Sequence, residues 1–125
     1  MEINEISGQV VDAALKVHSH LGPGLLESAY EACLAYELQR RRLRVVRQLL
    51  LPIEYEGIKV DAGYRIDLLV EERVVVELKA VDAIHPIHRA QLLSYLRLSK
   101  KRVGLLLNFN VLHLRDGIER LINDP

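Results

Sequence analysis

The chain has 125 residues, half of them hydrophobic, and a mean hydropathy of +0.07, which is enough for one compact core and too little for two ordinary domains. Its 17 basic and 17 acidic residues cancel, unlike the surplus of cations usual in a dedicated nucleic-acid binder. Apolar runs such as residues 48–53 and 103–107 fall far short of the ~20 residues of a membrane span. A single soluble α/β domain over residues 1–125 is expected. The start, Met1-Glu2-Ile3-Asn4-Glu5, places acids where a secretory signal carries bases, and the lone Cys33 has no partner for an internal disulfide. Both features point to the cytoplasm.

In chain order, Ile6, Val10, Ala13, Ala14, Val17 and Leu21 recur at spacings of three and four, predicting an amphipathic helix that stops at Gly22-Pro23-Gly24. A second helix is expected over residues 25–42, with Leu26, Tyr30, Cys33, Leu34 and Leu38 facing inward. Residues 45–55 read as one strand in which Pro52 marks an edge or a bulge, and Glu56-Gly57 as a turn. Further strands are expected over residues 58–60, 64–70 and 74–80, with Glu71-Glu72-Arg73 turning between the last two. The strand containing Val75-Val76-Glu77-Leu78-Lys79 is mostly apolar and should lie centrally. Helical spacing returns over residues 88–99, and residues 103–109 should form a strand parallel to the Glu77 strand after that crossover helix. In the tail, Asp116-Gly117 is a hairpin signal, with a short terminal helix as the competing reading.

The most informative spacing is Asp67 followed ten residues later by Glu77-Leu78-Lys79. Period-2 geometry puts Glu77 and Lys79 on one face of their strand, so two carboxylates and an amine can be superimposed by adjoining strands. Burying such charges costs several kcal/mol, roughly, unless partners or a metal compensate. In outline this is a metal-dependent phosphodiesterase constellation. Two basic clusters, Arg40-Arg41-Arg42 with Arg44 and Arg47, and Lys100-Lys101-Arg102, could meet phosphates or merely solvate helix ends. Gly22-Pro23-Gly24 could likewise approach an anion, although a tight turn explains it as well. His18 with His20 and His85 with His88 lack the further ligands of a zinc site. No serine sits in a nucleophile-elbow sequence, and Cys33 falls mid-helix.

Gly63-Tyr64-Arg65-Ile66-Asp67, Glu77-Leu78-Lys79 and Gln91-Leu92-Leu93-Ser94-Tyr95 resemble, in order and spacing, the motifs of the PD-(D/E)xK nuclease superfamily, especially its RecB-like branch. Gly24-Leu25-Leu26-Glu27-Ser28-Ala29-Tyr30 is similar to the signature of the small prokaryotic GxxExxY proteins placed in that superfamily, and Gly104-Leu105-Leu106-Leu107-Asn108-Phe109 also looks like theirs. Ile66 stands where the superfamily's name has a proline. The resemblance implies a restriction-endonuclease-like α/β/α core, with a mixed sheet flanked by the Glu27 and Gln91 helices. It also implies a Mg²⁺- or Mn²⁺-dependent nuclease acting on DNA.

On that reading Asp67, Glu77 and the backbone carbonyl of Leu78 bind the metal, with Glu27 as a direct or water-mediated ligand. Lys79 orients or deprotonates the attacking water or stabilises transition-state charge. Gln91 completes the catalytic set by holding Lys79 or a substrate phosphate, and Tyr95 shares its helix face. Tyr30, Arg65, His88, Arg89 and Tyr95 are the expected nucleic-acid contacts, His88 and Arg89 lining the mouth of the cleft with His85. A homodimer or a partner protein is the expected help for so small and neutral a chain. The runner-up is a non-catalytic nucleic-acid-binding or complex-forming subunit that keeps the fold without cleavage. A third is an enzyme acting on RNA or nucleotides.

Overall fold

The computed structural model describes residues 1–124. Helix α1, Ile3–Leu21, carries Glu5 in its first turn and buries Ile6, Val10, Ala13, Ala14 and Val17 of the expected stripe, whereas Leu21, its last residue, is exposed. It stops at Gly22, whose backbone lies at φ 69° and whose N–H donates to the His18 carbonyl. Residues 22–24 thus serve as a turn.

Helix α2, Glu27–Arg40, starts two residues later than expected, because Leu26 is its extended N-cap. Leu26 is accordingly 77% exposed, and Cys33 is exposed as well, so neither belongs to the inner face. The helix is rotated so that Glu31 joins Tyr30, Leu34, Ala35 and Leu38 inside.

Seven strands follow in two sheets. The main sheet has the order β1-β4-β5-β6-β7, built from Val45–Leu50, Arg65–Val70, Val74–Lys79, Val103–Asn108 and Ile118–Ile122. Among the described residues only β5 and β6 run parallel, joined across helix α3, Pro86–Ser99, which begins on a proline that needs no hydrogen bond there. β5 occupies the centre, as its apolar sequence requires.

Residues 45–55 do not form one strand. Leu51 still donates its N–H to the Tyr64 carbonyl, but Pro52 has none to give. The chain leaves the sheet there and folds into a small hairpin of β2, Ile53–Tyr55, and β3, Ile58–Val60. Glu56 and Gly57 turn it, both at positive φ (50° and 80°). The tail matches neither reading fully: Asp116-Gly117 is not a hairpin turn but the end of a short 3-10 turn, Leu114–Gly117, and the strand after it, β7, returns antiparallel to β6 across the loop that follows Asn108. Gly117 is required, since a Cβ there would stand 2.3 Å from the Asn108 carbonyl oxygen.

Apolar side chains form two clusters, one on each face of the sheet. Val74, Val76 and Leu78 pack with the α1 and α2 residues, whereas Val75 packs with Leu92, Tyr95 and Leu96 of α3. Glu77 and Lys79 share the parity of Val75 and therefore look toward α3. Among the described residues, no helix is long and apolar enough to cross a membrane.

Candidate active site

The site forms where the sheet stops being regular. β4 and β5 pair from Val70↔Val74 to Leu68↔Val76, and the next rung, Asp67 opposite Glu77, is not made. Side chains replace it: the Asp67 amide donates to Glu77 Oε1 at 3.1 Å, and the Leu78 amide donates to Asp67 Oδ2 at 3.0 Å. The carboxylates thereby hold the two strands apart at one end while satisfying the amides that the opened ladder leaves behind.

A second irregularity coincides with the first. On β1, Gln48 faces Asp67 and adopts φ 51°, yet the register is unchanged on either side, Arg47↔Leu68 and Leu49↔Ile66. Leu68 and Val45 pack on the α1/α2 side, whereas Ile66 and Leu49 pack on the α3 side. Strict alternation would keep Leu68 and Ile66 on one face. Both strands therefore change faces together at the Gln48–Asp67 position. The Gln48 amide group is placed to bridge Asp67 Oδ1, at 3.2 Å, and Glu31 Oε1. Glu31, 7% exposed, also accepts from Arg47 Nε and NH2 at 3.2 and 3.0 Å. The Glu31–Gln48 support for Asp67 is absent from the sequence expectations. The i, i+4 spacing of Glu27 and Glu31 was a usable signal for the first; nothing in the sequence announces left-handed backbone at a glutamine.

The Lys79 ammonium donates to Gln91 Oε1 at 3.2 Å, so β5 and α3 deliver the expected pair. Since an ammonium only donates, the Gln91 carbonyl is committed to Lys79 and its NH2 group is turned away. Glu77 is 4% exposed, and its carboxyl is pushed up to about 9, first by burial and then by the adjacent Asp67 carboxylate. The Glu27 carboxyl, in the first turn of α2, is also raised, by partial burial and then by Asp67, while Lys79 opposes the shift. That mutual influence brings Glu27 into the same electrostatic neighbourhood.

The expected nucleic-acid contacts are less uniform. Tyr30 does not fit that role: its ring is fully buried and stacked on Phe109 at 4.6 Å, and its hydroxyl donates to the Gly22 carbonyl and accepts from the Leu25 amide. Arg89 is engaged by Glu119 of β7 at 2.7 Å. His88 Nδ1 accepts from the His85 amide, and its pKa is lowered by partial desolvation and then by nearby Lys79. Tyr95 is 6% exposed, with its hydroxyl pKa raised by burial and then by Glu77 and Asp67. Arg65 is exposed on β4, two residues before Asp67. In the first basic cluster Arg41 pairs with Glu37 and Asp12, Arg44 with Glu71, and Arg47 with Glu31.

Among the described residues, no three His, Cys, Asp or Glu side chains close into a metal cage. A magnesium ion does not demand one, since it is held through one or two carboxylates and keeps several waters. Asp67 and Glu77 offer hard oxygen donors. Burial first, and then the Asp67 carboxylate, disfavour the charged form of Glu77, a cost that a bound cation would offset. The donor set fits a divalent cation.

The family model described as the PD-(D/E)XK nuclease superfamily matches residues 4–121, almost the whole chain. The chain belongs to the PD-(D/E)XK nuclease superfamily. Its mixed five-stranded sheet with helices on both faces is the restriction-endonuclease-like core of that superfamily. Within this PD-(D/E)XK chain, Ile66 replaces the proline of the name and is fully buried against the α3 cluster. No curated protein and no solved structure matches the chain.

Proposed function

We propose that this PD-(D/E)XK chain is a Mg²⁺- or Mn²⁺-dependent nuclease that hydrolyses phosphodiester bonds, with DNA as its leading substrate. The observation that carries the reading is the opened Asp67–Glu77 rung beside the Lys79–Gln91 pair. Asp67, Glu77 and the Leu78 carbonyl would hold the cation, and Glu27 would complete its water shell. A divalent cation so held neutralises the non-bridging phosphate oxygens and lowers the pKa of a bound water.

The remaining work falls to the protein. Gln91 fixes the Lys79 side chain, so that its ammonium faces the scissile phosphate with little reorganisation and opposes the charge that builds up on its oxygens. Gln48 and Glu31 hold Asp67 in place, which keeps the two carboxylates from relaxing apart. Arg65, exposed on β4, supplies a phosphate contact that positions the strand.

The test is cleavage of single-stranded, duplex and branched DNA and of RNA in Mg²⁺ or Mn²⁺, by wild type, Asp67→Ala and Lys79→Ala. Each variant should lose at least about 100-fold in rate, the scale on which one electrostatic contributor acts. Cleavage indifferent to both substitutions removes the assigned site. Binding without cleavage by the wild-type chain transfers the reading to a non-catalytic subunit.

A further inference from the structure

A concavity of about 440 Å³ adjoins the Lys79–Gln91 pair. It lies between the hairpin and α3, with Ile53, Tyr64 and Ile87 as apolar walls and Gln91, Ser94 and Tyr95 along its helical side. Its size is within the ~300–1,000 Å³ of sites that take small organic groups. Tyr64 is 41% exposed and meets Tyr95 edge to face at 6.0 Å; Ile87 is 71% exposed. An aromatic ring and an isoleucine left open to water, with the buried Tyr95 ring behind them, form an apolar surface that something flat and apolar would cover.

We propose that this concavity receives an unpaired nucleobase of the substrate strand, so that the enzyme acts on single-stranded or locally unpaired nucleic acid. The inference deepens the nuclease reading and rests on it. Three observations support a base over any other occupant. The first is continuity, because Gln91 lines the concavity and also binds Lys79, and Tyr64 lies three residues, about 10 Å of strand, before Asp67. A base lodged there leaves its own phosphate beside the acids.

The second is polar chemistry. The Gln91 NH2 group and the Ser94 hydroxyl have no hydrogen-bond partner among the described residues, and they offer a donor pair and a donor–acceptor to the edge of a ring stacked on Tyr64. The third is charge. Arg47 and Arg89 are engaged by Glu31 and Glu119, which leaves Arg65 among the described residues of the rim rather than the row of cations with which a protein tracks both backbones of a duplex. Stacking has to supply the affinity, as it does in proteins that hold single strands.

The test uses oligonucleotides carrying 2-aminopurine, single-stranded or in a duplex, bound to the full chain in chelator so that nothing is cut. The single strand should bind at least tenfold more tightly than the duplex, with a change in 2-aminopurine emission. Tyr64→Ala should weaken single-strand binding about tenfold, Tyr64→Phe should retain it, and Ser94→Trp, which fills the concavity from an exposed helix position, should abolish the emission change. Equal affinity for duplex and single strand, or Tyr64→Ala and Ser94→Trp both binding as wild type, overturns the proposal. The two readings fail separately. Cleavage of duplex and single strand at equal rates with Tyr64→Ala fully active removes the base pocket and keeps the nuclease; 2-aminopurine capture without cleavage in Mg²⁺ removes the nuclease and keeps the pocket.

Discussion

Glu77 concentrates the tension of the molecule in one carboxyl. In the unfolded chain it loses its proton near 4.5; in the folded chain burial and Asp67 hold that proton up to about 9. Between those values folding takes up a proton, so its contribution to stability is fully present below the lower value and is lost as pH rises toward the upper one. The slope is at most ~1.4 kcal/mol per pH unit. In chelator the melting temperature of wild type should therefore fall from pH 5 to pH 8, and Glu77→Gln should flatten that fall and raise the value at pH 8. A wild-type profile as flat as that of the variant contradicts the assignment. Tyr30 is the converse case, a residue that looks functional by spacing and is structural by burial. Tyr30→Phe leaves the Leu25 amide and the Gly22 carbonyl short of a partner and should cost ~1–3 kcal/mol in denaturant unfolding, with no change in single-strand binding.

At the scale of elements, legibility follows regularity. The shared face of Glu77 and Lys79, the parallel β5–β6 pair and the α1 stripe were readable because period 2 and period 3.6 hold there without interruption. Where elements depart from those periods the sequence pattern no longer specifies them. Pro52 ended β1 and sent residues 53–60 into their own hairpin, and the rotation of α2 exposed Cys33 and buried Glu31 because Arg47 and Gln48 reach across to bond it. The paired change of faces at Gln48 and Asp67 was illegible for the same reason, although it is what places Asp67 at the split. Element packing also fixes Gly117, where the 3-10 turn rests on the β6 backbone. Gly117→Ala must push the Asn108 carbonyl aside and should lower stability by ~1–3 kcal/mol, read from the denaturant midpoint. An unchanged midpoint would mean that the turn yields freely.

At the scale of the whole molecule, the acids of the candidate site gather at one end of the sheet and one basic group borders the other. Glu27, Glu31, Asp67 and Glu77 gather around the end of β5 that carries Lys79, whereas Arg97, Lys100, Lys101 and Arg102 border a concavity of about 850 Å³ at the other end, where α3 finishes and its dipole is negative. A net charge of zero conceals these two local groupings, so composition carries less about partners than motif order carries about the fold. The acid end is the proposed cation site. Calorimetric titration of Mg²⁺ at pH 7.5, repeated in buffers of different ionisation enthalpy, tests this directly, because a cation bound by Asp67 and Glu77 must displace the proton that Glu77 retains. Wild type should bind Mg²⁺ and release close to one proton, Glu77→Gln should release none, and Asp67→Ala should bind at least tenfold more weakly. Mg²⁺ binding that releases no proton and is untouched by either substitution would contradict the account.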